Sequence, residues 1–180
     1  AYAVVGGKQF SADQNAVILI ENLTGINAIT ISCDSFNSKT IEVSGQTETE
    51  TNLSYNISGV VKTGNIIVAM ANIFVSGKET QTDALGCFEV KEIYGRAEVV
   101  AQKDSNTFET ISVFGGNEIE IQGTYAISGV LSGEGGAVAD QVVYLRAVAS
   151  ENHKQTTTDQ NGYYEFSNLS EVYQLLTYDS

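Results

Sequence analysis

Proline and tryptophan are absent from this chain, histidine and methionine occur once each, and cysteine occurs twice. Each scarcity removes a class of function. With His153 as the sole histidine, Ser–His–Asp and Cys–His catalysis would hang on one position in SENHKQ, where nothing nearby supports it. A lone histidine is an equally poor nucleus for a metal site, so His153 reads as an exposed loop residue. Two cysteines make no disulfide framework. Cys33 alternates with Ile29 and Ile31 and should face inward, while Cys87, next to Phe88, should face outward. Residues so placed are not expected to pair, because a disulfide demands close Cα atoms. The glycine-rich SGEGGA (132–137) lacks the lysine and the strand-to-helix setting of a phosphate loop. The chain reads as a non-enzyme with no catalytic, cofactor-binding or metal-ligating residue and no cofactor.

Basic residues are also scarce, 9 Lys and Arg against 22 Asp and Glu, for a net charge of −13. Nucleic acid and anionic membrane surfaces both need a basic face, so neither is an expected partner. No apolar run approaches the roughly 18 residues of a membrane helix. The longest candidate, VVKTGNIIVAMANIFV, is broken by Lys62, Gly64 and Asn65, and membrane insertion is not expected. The first residues, AYAVVGG, show neither the charged nor the long apolar segment of a signal peptide.

What the chain has instead is 17 glycines, nine tyrosines and many Thr, Val and Ile, a β-protein composition. It also has a repeat. Displaced by 70 positions, residues 2–61 lie on 72–131 without a gap, with 18 identities in 60 positions. They include Asp13/Asp83, Gly25/Gly95, Thr40-Ile41/Thr110-Ile111, Tyr55/Tyr125 and Ile57-Ser58-Gly59-Val60/Ile127-Ser128-Gly129-Val130. A third copy follows: VAMANIFV (68–75) lies on VADQVVYL (138–145), and after a six-residue insertion TDALGCFEV (82–90) meets TDQNGYYEF (158–166).

Three versions of one stretch result, ADQNAVILIENL, TDALGCFEVKEI and TDQNGYYEFSNL. A metal loop would keep its oxygen ligands at fixed spacing. Only Asp13, Asp83 and Asp159 recur, and Asn15 and Asn161 become Leu85. What persists is an Asp before a tight turn and then an alternating strand with Ile18/Ile20, Phe88/Val90 and Tyr164/Phe166 facing inward. Asx-turn chemistry accounts for the Asp and entry into a hairpin for the Gly.

In the middle copy the alternation predicts strands at 55–61, 72–77, 87–93, 97–103, 109–115 and 117–123, with turn signals every 8–12 residues and no helical stripe. The expected fold is all-β, a tandem of small antiparallel Ig-like sandwich units of about seven strands each. The boundaries fall at 1–54, a unit without its first strand; 55–124, a complete unit; and 125–180, a unit without its final hairpin. LSYNISG and GTYAISG lack linker residues, so each unit should run directly into the next and make a stiff rod.

The last copy carries a resemblance. Gly129-Val130, Ala139-Asp140, Val143, Leu145, Thr158-Asp159, Gly162, Tyr164, Phe166 and Leu169 resemble the pattern of carboxypeptidase-regulatory-like and Cna B-type (transthyretin-like) sandwich repeats. The match covers most of 125–180, is good in 55–123 and decays in 2–54. The Pro-Gly usual after the leucine is replaced by SEVYQL. Some members carry a Lys–Asn isopeptide bond beside a buried acid, but Glu89 and Glu165 alternate outward, so none is expected here.

The resemblance implies a non-catalytic part of a secreted or surface protein. The leading expectation is an extracellular filament or stalk subunit whose partners are neighbouring repeats or other copies of itself, joined head-to-tail by strand complementation. The alternative is a cell-surface adhesin holding a glycan or protein on Tyr163, Tyr173 and Tyr178. Four sequons, at Asn22, Asn52, Asn56 and Asn168, are consistent with surface exposure, although Asn22 and Asn168 also occupy the repeat's own Asn-Leu position.

Overall fold

The computed structural model of the chain describes residues 1–45, 47–104 and 106–177. It is all-β, with no helix among the described residues. The first copy contributes β1 (Tyr2–Val5), β2 (Lys8–Ser11), β3 (Ile26–Ser32) and β4 (Lys39–Ser44). The middle copy contributes β5 (Tyr55–Thr63), β6 (Ile66–Ile67), β7 (Asn72–Val75), β8 (Lys78–Gln81), β9 (Cys87–Ile93), β10 (Ala97–Gln102), β11 (Thr107–Phe108) and β12 (Ile111–Val113). Then come β13 (Glu118–Val130), β14 (Ser132–Gly133), β15 (Gly136–Ala137), β16 (Val142–Ala147), β17 (His153–Thr157), β18 (Tyr163–Leu169) and β19 (Tyr173–Thr177).

The copies build one kind of sheet. Its order is β2-β1-β3-β4 in the first, β8-β7-β10-β12 in the middle and β17-β16-β19 in the last. Registers agree as well, since Tyr2 faces Ser32 as Asn72 faces Gln102. Facing the middle sheet is a second layer in which β5 is central, antiparallel to β9 and parallel to the first part of β13. Ile73, Val75, Val99 and Val113 from one layer pack against Tyr55, Ile57, Val61, Phe88, Val90 and Ile121 from the other. This is a sandwich-like core, with Ile57, Ile73, Val99 and Ile121 fully shielded from solvent.

The turn after the conserved Asp is the same in all three copies. Asp13 Oδ1 accepts the N–H groups of Asn15 and Val17 at 2.8 and 2.9 Å. Asp83 does so for Leu85 and Cys87, and Asp159 for Asn161 and Tyr163, at the same distances. The carboxylate is thus engaged in closing its own turn. The expected hairpin is replaced by an arch: β8 and β9 belong to different sheets, so the turn carries the chain from one layer to the other. Its tightest residue is left-handed, with φ +71° at Gly86, +73° at Gly162 and +62° at Ala16.

An L-residue in that region is strained by roughly 1–2 kcal/mol. At Gly86 an added Cβ would also lie 2.7 Å from Ile67 Cγ2 and 3.0 Å from the Val61 carbonyl oxygen. Gly86→Ala is therefore expected to destabilise the protein by about 2 kcal/mol, and Ala16→Gly to stabilise it by about 0.5–1 kcal/mol. Urea denaturation midpoints of the two variants check both signs.

Candidate functional site: the central-strand position

No cluster of His, Cys, Asp and Glu able to hold a metal occurs among the described residues. The surface depression lined by Met70, Asn72, Gln81, Gln102, Lys103 and Asp104 is polar and open to solvent, and Gln81 Nε2 in it donates to Asn72 Oδ1 at 2.7 Å. His153 is exposed and opens β17 opposite Arg146, so it belongs to a strand rather than the expected loop. Both cysteines are free; Cys87 is exposed as expected, but Cys33 is only half-buried, because it lies just past the end of β3. Tyr163 is exposed and its hydroxyl reaches Glu165, whereas Tyr173 packs against the core of the last copy. The candidate tyrosine surface is therefore not assembled from those two, and Tyr178 lies outside the described residues.

What the repeat does build, twice and in detail, is a place for one strand. In the middle copy its occupant is β5, and in the last copy it is the second half of β13. Tyr55 faces Ile93, Ile57 faces Val90 and Gly59 faces Phe88; equivalently, Tyr125 faces Leu169, Ile127 faces Phe166 and Gly129 faces Tyr164. Glycine is required because the aromatic ring opposite fills the space of a side chain. A Cβ on Gly59 would fall 2.9 Å from the Phe88 ring and 2.4 Å from the Ile119 carbonyl oxygen, and one on Gly129 would fall 2.6 Å from the Tyr164 hydroxyl.

The tyrosine at the start of the strand is an anchor. Tyr55 is fully buried and its hydroxyl donates to the Gly95 carbonyl at 2.7 Å. Tyr125 donates to the carbonyl of Glu171, the counterpart of Gly95. Burial raises the pKa of both phenols; Arg96 partly opposes this at Tyr55, and Tyr173 adds to it at Tyr125.

Opposite the anchor, each partner strand carries a bulge whose extra residue is left-handed, Glu92 at φ +57° and Asn168 at +54°. Asn22, their counterpart, has φ +60°, which gives the Asn-Leu sequons a backbone reason. The bulge carbonyls are gathered by a lysine: Lys78 Nζ donates to Lys91 and Glu92, and Lys154 Nζ to Ser167 and Asn168. Sequence reasoning missed this pair, although Lys78 and Lys154 align at the offset of 76.

A buried threonine then pins the segment leading out of the strand. Thr82 Oγ1 donates to the Val68 carbonyl at 2.8 Å and accepts from Ala71 N–H at 2.9 Å. Thr158 repeats both contacts with Val138 and Gln141. In the first copy the same position is Ala12.

In the first copy the two segments that flank this position elsewhere form no ladder. Residues 17–23, expected as a strand from their alternation, carry no strand assignment, nor do residues 47–54, the counterparts of β13's first half. The inward pattern survives nonetheless, with Ile18, Ile20 and Leu23 packed against Ala3, Val5, Ile29 and Val43.

Between the middle and last copies the strand is continuous. β13 runs 13 residues without a break; its first half pairs parallel with β5 and its second half antiparallel with β18. Ile119 and Ile121 point into the middle core, and Tyr125 and Ile127, in the same alternation, pack against the last. The first and middle copies meet differently. Phe36 sits edge-on to Tyr55 and Phe114 at 5.5 and 5.4 Å, and Asn37 Nδ2 donates to Asn56 Oδ1 at 3.1 Å.

No known protein-family profile matches the chain, and no curated protein matches it. A solved structure of the Bacillus anthracis TIE protein aligns with 98% of this chain and 44% of its own, at 14% identity and a TM-score of 0.30. The chain thus spans less than half the length of that protein, and a likeness this slight carries no argument about fold or activity.

Tyr55→Phe keeps the ring and removes the anchor bond, so a loss of about 1–1.5 kcal/mol is expected. A raised phenol pKa has a definite sign. Tyr55 contributes its full stabilisation below the unfolded tyrosine value near 10, and loses it as pH rises toward its own higher pKa, because the unfolded chain gives up its proton first. Denaturation between pH 8 and 11 should therefore show falling stability at the alkaline end, with a shallower fall in Tyr55→Phe.

Proposed function

We propose that the chain is a structural protein, a tandem of transthyretin-like, Ig-like β-sandwich units with boundaries at 1–54, 55–124 and 125–180. Its work is to transmit load and hold spacing rather than to turn over a substrate. The observation that carries this reading is β13, one strand that closes the layer of one copy and opens that of the next. Adjacent copies joined this way have no free linker in which to bend. The partners are neighbouring repeats or other copies of the chain, set head-to-tail. An extracellular or cell-surface setting and filament formation follow from the resemblance to Cna B-type repeats and from the acidic surface.

The adhesin alternative depended on Tyr163, Tyr173 and Tyr178 forming an exposed face, and the inward packing of Tyr173 gives it no support. Negative-stain electron microscopy across a concentration series tests the structural reading. Rods that lengthen with concentration and keep a regular axial repeat are expected; globular particles of one size at every concentration would overturn it.

A further inference from the structure

On one side of the middle copy both layers end in an edge strand. Among the described residues β8 bonds only to β7 and β9 only to β5, and the Asp83 turn joins β8 to β9. The last copy repeats this with β17, bonded only to β16, and β18, bonded only to β13. An open edge of this kind is a template for a strand of another molecule.

Which backbone groups the edge presents follows from the ladder. Hydrogen-bonding direction alternates along an antiparallel strand, so every second residue of β9 turns its N–H and C=O away from β5. Val61 N–H donates to the Gly86 carbonyl at 2.9 Å, which makes Cys87, Glu89 and Lys91 the outward residues. In the last copy Leu131 N–H donates to the Gly162 carbonyl at 2.8 Å, and Tyr163, Glu165 and Ser167 are outward.

Both ends of each row are already engaged. Cys87 N–H donates to Asp83 Oδ1 and its carbonyl accepts from Asp83 N–H, both at 2.9 Å. At the far end Lys78 Nζ, reaching across from β8, donates to the Lys91 and Glu92 carbonyls. Asp159 treats Tyr163 in the same way at the same distances, and Lys154 Nζ holds the Ser167 and Asn168 carbonyls. Each edge keeps one residue able to pair outward, Glu89 or Glu165, and both are exposed. Two chains meeting edge to edge about that residue would set its carboxylate opposite the same carboxylate of the other chain, where like charges repel.

We propose that Lys78 and Lys154 are latches on a lateral interface, shutting edges whose fitting partner is the same edge of a second copy of this chain. With the ammonium in place one residue is too little for a ladder, and the chains do not pair side by side. Without it residues 89 and 91, or 165 and 167, pair antiparallel with their equivalents in the second chain. Contact between chains is thereby confined to their ends. The edges are shut whether or not rods form, so this inference goes beyond the structural reading and does not depend on it.

The test uses the full 180-residue chain in three variants, all carrying Glu89→Thr and Glu165→Thr to remove the repulsion. The first keeps both lysines, the second adds Lys78→Met and Lys154→Met, and the third adds Lys78→Arg and Lys154→Arg, which restores donors. Light scattering gives the mass across a concentration series, and amide hydrogen exchange is followed at positions 89 and 165. In the methionine variant the mass should rise with concentration about twofold beyond that of the lysine variant, and exchange at both positions should slow about tenfold. The lysine and arginine variants should match the wild-type chain in both readouts. Association of the lysine or arginine variant to the same extent would overturn the proposal, as would a methionine variant that stays like wild type. So would a gain in mass without protection at 89 and 165, whether through unfolding or another surface. Electron microscopy is read separately: a wild-type chain that never forms rods refutes the structural reading and leaves these outcomes as decisive as before.

Discussion

A strand in the interior of a sheet must satisfy N–H and C=O groups on both of its edges, and this chain is organised around how that demand is met. β5 meets it with β9 on one side and β13 on the other. In the first copy residues 17–23 and 47–54 form no ladder. Ile29 and Val43 are 7% and 9% exposed, while their counterparts Val99 and Val113 are 0% and 5% exposed. The inward side chains remain apolar in both copies.

Charge placement fits the same constraint. Glu48 and Glu50 are exposed on the segment that forms no ladder, and Glu118 and Glu120 project from the outer face of β13. Carboxylates at such places discourage indiscriminate edge-to-edge pairing while leaving the inward face apolar. Within the complete layer a lysine answers one of them: Lys62 pairs with Glu120 across β5 and β13, and this contact holds the Glu120 carboxyl below its usual range.

Features governed by local chemistry could be read from the sequence. The bounds Cys87–Ile93, the inward Phe88 and Val90, and the Asp turns at 13, 83 and 159 follow from alternation and Asx geometry, and the structure has them. Features set by distant partners were hidden. Nothing near Glu92 announces a left-handed bulge, because glutamate, unlike the Asn at 22 and 168, carries no preference for that conformation. The alternation of VILIENL is as good as that of CFEVKEI, yet only the latter is a strand, since pairing and not pattern decides the outcome. For the candidate site, Tyr55, Gly59 and their counterparts stood out as repeat identities. Lys78 and the threonines at 82 and 158 were visible as repeat positions too, but their roles were not, because their partners are backbone carbonyls that no sequence displays.

The parallel contact between β5 and β13 also dictates an order of events in making the protein. Ser58 pairs with Glu118 and Lys62 with Gln122, so one edge of β5 waits for residues sixty positions further along the chain. Contacts of that sequence separation form slowly, since the whole intervening loop must be closed first. During synthesis β9 can join β5 early, but the other edge stays bare until β13 has emerged. Once it has, β13 brings its second half into position for β18 at the same stroke. The middle copy's last folding step is therefore the next copy's first, and the chain is built to fold progressively from one end.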